Sequence, residues 1–504
     1  MGIVDGFTAL FSSWEAVAFA LAGTMIGLLG GAVPGLSSGA MIALLIPITY
    51  YLDPLAALAL IYTVSKASDF GGSIPAILFN TPGTPQASAT QIEGFPLTQQ
   101  GKQGKALRMA VIASAQGDLF SELLLIFGAA TLAVFASRLG PPEFVAIYLC
   151  AFAVIGGLLG KSLLTGLLSV VLGLALSLVG TDPITADDRF TFGIDGLLDG
   201  IELVPVLLGM FVLAEVFERG ATRTGLTAER AIAGVPRAPS DNYVTFREYK
   251  RVLPTLIRST GIGAAIGMLP GLGSVVACFV AYSEAKRRSK TPETWGKGEI
   301  EGIAAAEASN NATSGANLIP LLTLGIPGST AAALLSGVML IHGIEIGPNV
   351  FTTSHDVIYG VFAAGLLCIA TYFVVGYWGS RYVGALIAKI PVQMVYPIIF
   401  VTCYVAVFAT RQALIDMVVM TIFGLLGFAM KRLDMSVPAF VIAFILGPGL
   451  ERAMRQSFLL DESGAGIFLE RPVALASFLL GALSLAFRLC GGSLHYRKQG
   501  HSRR

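Results

Sequence analysis

The chain has 504 residues, of which 54% are hydrophobic and only 13% charged, and its mean hydropathy is +0.74. Soluble domains carry about 25% charged residues, so the composition excludes a water-soluble fold. Apolar runs of about 20 residues read as membrane helices and exclude a β-barrel of short alternating strands. The net charge is +1, and no nucleic acid is expected among the partners.

In chain order, Met1 to Ser13 lacks a basic leading region, so no cleavable signal peptide is expected. Two apolar runs follow, Trp14–Val33 and Leu36–Tyr51, joined at Pro34-Gly35-Leu36. A membrane segment is predicted near 54–68. Next comes a hairpin over 70–97 that contains Ile74-Pro75-Ala76-Ile77-Leu78-Phe79-Asn80-Thr81-Pro82-Gly83-Thr84. Further spans are predicted near 106–137, 144–159, 162–180 and 197–217. The polar stretch Glu218–Arg251 then divides the chain.

Beyond it the pattern returns. Pro254–Leu269 and Gly271–Tyr282 meet at Pro270-Gly271-Leu272, 236 residues after the first Pro-Gly-Leu. A span near 300–315 leads to a hairpin over 314–341. Its Ile319-Pro320-Leu321-Leu322-Thr323-Leu324-Gly325-Ile326-Pro327-Gly328-Ser329 stands 245 residues after the first such motif. Spans near 356–388, 392–409, 412–430, 436–450 and 472–490 complete the chain. The expected organisation is a first repeat at 1–220, a cytoplasmic linker at 221–253, a second repeat at 254–490 and a cytoplasmic tail at 491–504.

Basic residues orient these segments, because short cytoplasmic loops are rich in Lys and Arg. The first Pro-Gly-Leu is flanked by Asp5, Glu15 and Asp53, whereas the second lies between Arg247, Lys250 and Arg251 and Lys286, Arg287, Arg288 and Lys290. After the first long hairpin come Lys102, Lys105 and Arg108; after the second, His342 to Asp356 holds no Lys or Arg. The halves therefore read as oppositely oriented. The fold class expected is an all-α polytopic membrane protein of two inverted-topology repeats. It has broken or re-entrant helical hairpins and about 11–12 membrane-spanning helices.

Pro-Gly inside an apolar segment breaks a helix. A broken helix frees backbone N–H groups at one half-helix N-terminus and carbonyls at another. The N–H ends attract a carboxylate, and the carbonyls hold a cation. Candidate substrate-binding residues at the breaks are Ser37, Ser38, Lys66, Ser73, Thr81, Gly83, Thr84, Ser274, Gly328, Ser329 and Thr330. Candidate cation-binding residues are Asp69, Asn80, Asn310, Asn311 and Asn317. Small polar residues also mediate ordinary helix packing in membranes. Lys66 and Asp69, three apart, either neutralise each other on one helix face or face a substrate carboxylate and a coupling cation respectively. Glu93, Asp118, Glu122 and Glu307 are expected near the interfaces, where solvation is cheap.

No cofactor or enzymatic centre is expected. The five cysteines are scattered, and the four histidines, His342, His355, His495 and His501, do not cluster. Gly160-Lys161-Ser162 lacks the earlier glycine of a phosphate loop and reads as a helix boundary.

Gly30-Gly31-Ala32-Val33-Pro34-Gly35-Leu36, the run Gly71 to Pro85 and Leu324-Gly325-Ile326-Pro327-Gly328-Ser329 together resemble the large membrane subunit of the tripartite tricarboxylate transporters, the TctA family. The resemblance runs from about Ala16 to Arg488. It implies a multi-pass permease of the bacterial inner membrane. Its partners would be a small membrane subunit and a periplasmic solute-binding protein. The substrate would be a carboxylate such as citrate, and the coupling ion Na⁺ or H⁺. An anion channel built from the same hairpins is the alternative.

Overall fold

Proline and glycine end helices at the long repeated motifs but not everywhere, since Pro47, Pro96, Pro254, Pro397 and Pro448, the last followed by Gly449, lie inside helices. The structure, a computed structural model, describes residues 2–33, 36–159, 162–182, 185–221, 242–387, 392–460 and 466–500. Pro34-Gly35, Gly160-Lys161, most of the linker and the end of the tail lie outside the described residues.

The first helices are α1 (Gly2–Ser12), α2 (Trp14–Gly31), α3 (Ser38–Thr49), α4 (Pro54–Gly71), α5 (Ser73–Phe79), α6 (Ala87–Gln99) and α7 (Gln103–Ala136). Then come α8 (Pro141–Leu159), α9 (Leu163–Ser177) and α10 (Leu203–Leu207), which passes through a π-turn at Leu208–Leu213 into α11 (Ala214–Ala221). After the linker follow α12 (Phe246–Gly267), α13 (Gly273–Arg288), α14 (Ile300–Ala316), α15 (Leu318–Leu324) and α16 (Thr330–Ile341). The last group is α17 (Val350–Thr353), α18 (His355–Ile387), α19 (Val392–Arg411), α20 (Leu414–Arg432), α21 (Val437–Leu460), α22 (Ile467–Glu470) and α23 (Pro472–Gly500). The only strands among the described residues, β1 (Gly180–Thr181) and β2 (Asp188–Arg189), pair antiparallel.

Every predicted span and hairpin arm has a helix. The N-terminal helix α1 was not expected; its buried Leu10 packs with Ala16 and Ala20 of α2, Ala56 of α4 and Ala363 of α18. Among the described residues, five helical stretches are long and apolar enough to cross a bilayer by themselves: Trp14–Gly31, Gln103–Ala136, His355–Ser380, Leu414–Arg432 and Val437–Leu460. The other apolar helices are shorter, in part because the motifs divide them. Thus α4 and α5 are separated by Gly72 alone, as α14 and α15 are by Asn317.

The chain forms two compact units, one of Met1–Leu132 with Glu218–Arg411, the other of Ala133–Phe217 with Gln412–Arg504. Each unit takes one stretch from either half of the sequence. In the second unit, Gly173 of α9 lets the backbone of α21 approach at Phe440, and Gly209 admits Met420 of α20. Its polar rim is held by Arg189–Glu451 at 2.7 Å, Arg455–Asp182 at 2.5 Å and Lys431–Glu215 at 2.6 Å.

The first unit holds both copies of both motifs. A Cβ at Gly27 of α2 would strike the Val64 carbonyl of α4, and one at Gly31 would approach the Ser68 backbone. In the second half, Gly263 and Gly267 of α12 meet Ser309 and Thr313 of α14 in the same way. These contacts correspond one for one at the offsets of the two motifs. Glycines four apart let two membrane helices pack backbone against backbone, where dispersion and Cα–H···O contacts replace the hydrophobic effect.

Candidate functional site

The breaks are built alike in both halves. α5 and α15 are seven residues long, and each ends on a left-handed residue, Asn80 at φ 57° and Gly325 at φ 77°. The loop after α5 folds back so that the Gly83 N–H donates to the Gly72 carbonyl at 3.0 Å. A side chain at Gly83 would run into the Gly31 carbonyl oxygen. In the second half the corresponding Gly328 lies on Asn317, and the Gly271 N–H donates to the Gly328 carbonyl at 3.3 Å. The Pro-Gly-Leu turn and the long motif of the second half therefore meet.

Helix N-termini open at these breaks. Ser37 caps α3 and accepts from the Ala40 N–H at 3.2 Å; Ser329 caps α16 and accepts from Ala332 at 3.1 Å. Ser38, Ser274 and Thr330 stand in the first turns of α3, α13 and α16 and are half-buried. Thr84 is buried against Gly72, with its hydroxyl unpartnered among the described residues.

Two helices line the interior with matching polar stripes. On α4 the stripe is Tyr62, Ser65, Lys66 and Asp69; on α14 it is Glu307, Asn310, Asn311 and Ser314. Both have spacing i, i+3, i+4, i+7, one helix face, and they occupy equivalent positions 245 residues apart. The Asn310 amide donates to the Asp69 carbonyl at 3.4 Å, and Gln86 donates to the Asp69 carboxylate at 2.7 Å. The side-chain oxygens of Asn310 and Asn311 are buried with no partner among the described residues. Ser65, Ser314 and Asn317 line a cavity of about 10 Å³ with Tyr62, Ala331 and Ala332, room for about one water.

Glu307 ties the halves together. It is fully buried and accepts hydrogen bonds from Ser73 at the start of α5, from Thr90 of α6, and from Ser114 of α7 at 2.7 Å. Three hydroxyl donors satisfy a carboxylate that would otherwise be expensive to bury.

Several expectations are corrected. Lys66 does not pair with Asp69. It is fully buried and bonds Asp118 at 2.6 Å and Glu122 at 2.6 Å, both on α7 and both fully buried. Glu93, Asp118, Glu122 and Glu307 are not at solvated interfaces; all four have no exposed surface. Glu93 of α6 accepts from Tyr282 at 2.7 Å and from the N–H groups of Gly296, Gly298 and Glu299 at 2.6, 2.9 and 2.8 Å. The reason is common to all: a carboxylate goes inside where another segment of the chain supplies donors, and single-helix hydropathy does not see that segment. One signal was present. Ser114, Asp118, Ser121 and Glu122 fall on one face of α7 at i, i+4, i+7, i+8, the mark of a buried polar stripe.

Asn80 and Thr81 stand apart from the buried set. Asn80 is exposed and its oxygens accept from Gln91 at 2.8 Å, while the Thr81 hydroxyl donates to the Phe79 carbonyl at 3.2 Å.

An all-α membrane protein with paired helix breaks facing buried, charge-bearing stripes is the class that fold and site define. Comparison with known proteins gives the family. The model of the tripartite tricarboxylate transporter TctA family matches residues 17–442, and the chain belongs to that family. It is 32% identical over 478 residues to an uncharacterized 52.8 kDa protein in the TAR-I ttuC' 3' region of Agrobacterium vitis, covering 94% of this chain and 93% of that one. It is also 32% identical over 232 residues to an uncharacterized protein in the TAR-II ttuC' 3' region of the same organism, covering 45% of this chain and 93% of the relative. No solved structure matches.

Proposed function

We propose that this chain is the permease subunit of a binding-protein-dependent secondary transporter, which takes up a tricarboxylate such as citrate, or a related organic acid, by alternating access. It would sit in the bacterial inner membrane with a small membrane subunit and receive substrate from a periplasmic binding protein. The observation that carries the reading is the repeated break. Equivalent Pro-Gly segments, with equivalent packing of α2 on α4 and of α12 on α14, stand in one compact unit. Opposed charge at their flanks supports inverted orientation of the two copies.

Substrate carboxylates meet the N-termini of α3 and α16 and the hydroxyls around them, Ser37, Ser38, Ser329 and Thr330, with Ser274 at α13. The coupling cation is drawn to Asp69, Asn310 and Asn311. Two buried amide oxygens with no partner among the described residues, on the helix that packs at a half-buried carboxylate, are acceptors that fit the hard-oxygen preference of Na⁺. Gly83 and Gly328 keep the loops close enough for backbone to form the site.

The experiment is uptake of labelled carboxylates into proteoliposomes holding this chain and its small membrane partner, with the binding protein outside, with and without an inward Na⁺ gradient. Saturable uptake that needs both supports the proposal. Non-saturable flux through the permease alone favours a channel.

A further inference from the structure

The pockets under the two hairpins are built from matching positions, and they differ in charge. A cavity of about 10 Å³ under the second hairpin, α15 and α16, is walled by Tyr62, Ser65, Ser314, Leu318, Ala331 and Leu335 with other residues. Moved 245 residues along the chain, these positions are Glu307, Asn310, Asp69, Ser73, Gln86 and Thr90. That second set also stands together, under the first hairpin, α5 and α6. Ser73 and Thr90 donate to Glu307, Gln86 donates to Asp69 at 2.7 Å, and the Asn310 amide donates to the Asp69 carbonyl at 3.4 Å. One arrangement therefore occurs twice, as the repeated breaks do.

Charge separates the two copies. Among the described residues, the wall of the second pocket holds no carboxylate. Its Tyr62 hydroxyl accepts from the Lys66 ammonium at 3.3 Å, and Lys66 is the counterpart of Asn311. That ammonium is tethered and bonded to Asp118 and Glu122, neither of which lines the cavity. A mobile cation here would meet neutral groups and a resident ammonium. The first pocket instead has the half-buried Asp69 carboxylate and oxygens that lack donors. The Asn310 side-chain oxygen and the Thr84 hydroxyl are buried with no partner among the described residues. Thr84 is two residues before Gln86, the donor to Asp69, and a Cβ at Gly72 would strike its hydroxyl. Its counterpart Ser329 caps α16 and accepts from the Ala332 N–H at 3.1 Å, whereas α6 starts with no side-chain cap. The Thr84 hydroxyl is thereby left for a ligand. Carboxylate, amide and hydroxyl oxygens together suit a hard cation.

We infer that each chain has one mobile-cation site, under the first hairpin, with Thr84 as a ligand beside Asp69 and Asn310. The matching place under the second hairpin is neutral and takes no ion, because the tethered ammonium of Lys66 stands next to it. Uptake then couples to a single cation per cycle. The role in uptake rests on the transport reading, whereas the site itself rests on the geometry, and each has its own test.

Equilibrium binding of radiolabelled Na⁺ to the full chain in lipid nanodiscs counts the site, and saturation at a single Na⁺ per chain is expected. Thr84→Val should weaken binding about tenfold or more. Its thermal stability in Na⁺-free buffer should be unchanged or higher, because the hydroxyl it removes has no partner among the described residues. Thr84→Ser restores the hydroxyl and should bind like the wild type. Asp69→Asn should lose Na⁺, and Ser314→Ala, at the matching place of the other pocket, should keep it. Saturation at two Na⁺ per chain, a wild type that binds none, undiminished binding in Thr84→Val, or equal losses in Asp69→Asn and Ser314→Ala overturns the inference. In proteoliposomes the Na⁺ dependence of uptake should have a Hill coefficient of about one, and a value of about two overturns the single site. A chain that binds a single Na⁺ in this pattern and yet takes up no carboxylate refutes the transport reading and supports the site.

Discussion

The backbone N–H of Gly271 donates to the carbonyl oxygen of Gly328 at 3.3 Å. One hydrogen bond thus joins the Pro-Gly-Leu turn after α12 to the loop between α15 and α16, two breaks that are 57 residues apart in the chain. In the first half Gly83 is pressed onto the Gly31 carbonyl. In the second half the two interruptions meet, and in the first the loop after α5 meets the last residue of α2, which is what a site made of backbone requires.

Substitution at these glycines tests that arrangement. A methyl at Gly83 meets the Gly31 carbonyl oxygen and lies 2.9 Å from the Gly72 Cα, so backbone must move. Gly83→Ala should destabilise by about 1–3 kcal/mol and abolish uptake. At Gly328 the nearest atoms are 2.9–3.1 Å away, and Gly328→Ala should be milder. Gly83→Leu or Gly328→Leu should abolish uptake while sparing membrane insertion. Gly261→Ala on α12, with nothing within 4 Å, should be neutral or stabilise by about 0.5–1 kcal/mol. Thermal unfolding in detergent, run beside uptake, gives the ranking; equal effects at Gly83 and Gly261 would refute it.

Removing the cation of the buried cluster should be severe. Lys66→Met leaves Asp118 and Glu122 buried together without compensation, at about 3–5 kcal/mol. Lys66→Met/Asp118→Asn should recover most of that loss, because the second change removes one of the two carboxyls that faced the lost cation. Denaturation of both variants decides it; a double variant no better than the single one speaks against an electrostatic cause.

Glu307 should act as a structural acceptor shared by three helices. Glu307→Ala strands the hydroxyls of Ser73, Thr90 and Ser114, at about 1–3 kcal/mol for each group left unsatisfied. Ser73→Ala removes one donor and should cost about 1 kcal/mol. The two variants are compared by thermal unfolding, and a Ser73→Ala loss as large as that of Glu307→Ala would contradict the shared role.

Glu93 fastens α6 to the segment that precedes α14. Its carboxylate receives three backbone N–H groups and the Tyr282 hydroxyl. Glu93→Gln weakens charge-assisted bonds worth about 1.5–3 kcal/mol. Amide hydrogen exchange at Gly296, Gly298 and Glu299 should accelerate by an order of magnitude or more; unchanged protection would mean that other contacts hold the loop.

Much of the fold was legible because its signals are local. Helix ends at the long repeated motifs follow Pro and Gly, and the offsets of 236 and 245 residues between motif copies reappear as the same glycine contacts between α2 and α4 and between α12 and α14. Of the cation candidates chosen from the sequence, Asp69, Asn310 and Asn311 lie on the polar faces of α4 and α14 and Asn317 lies between α14 and α15, whereas Asn80 stands apart. The partner of Lys66 was not. Asp69 is three residues away along the chain, yet Asp118 and Glu122 are the bonded partners.

The sequence by itself determined a membrane-embedded all-α chain, the breaks at the two long motifs and at Pro270-Gly271, and the family, because composition, Pro-Gly interruption and motif wording belong to the chain and not to its packing. Only the tertiary structure decided which charges face which. Hydropathy rates Asp118, Glu122, Glu307 and Glu93 as residues to be kept in water, but their burial depends on ammonium, hydroxyl and N–H donors brought by segments remote in sequence. Burial of a charge is a property of the pair, and the pair exists only after the helices have packed.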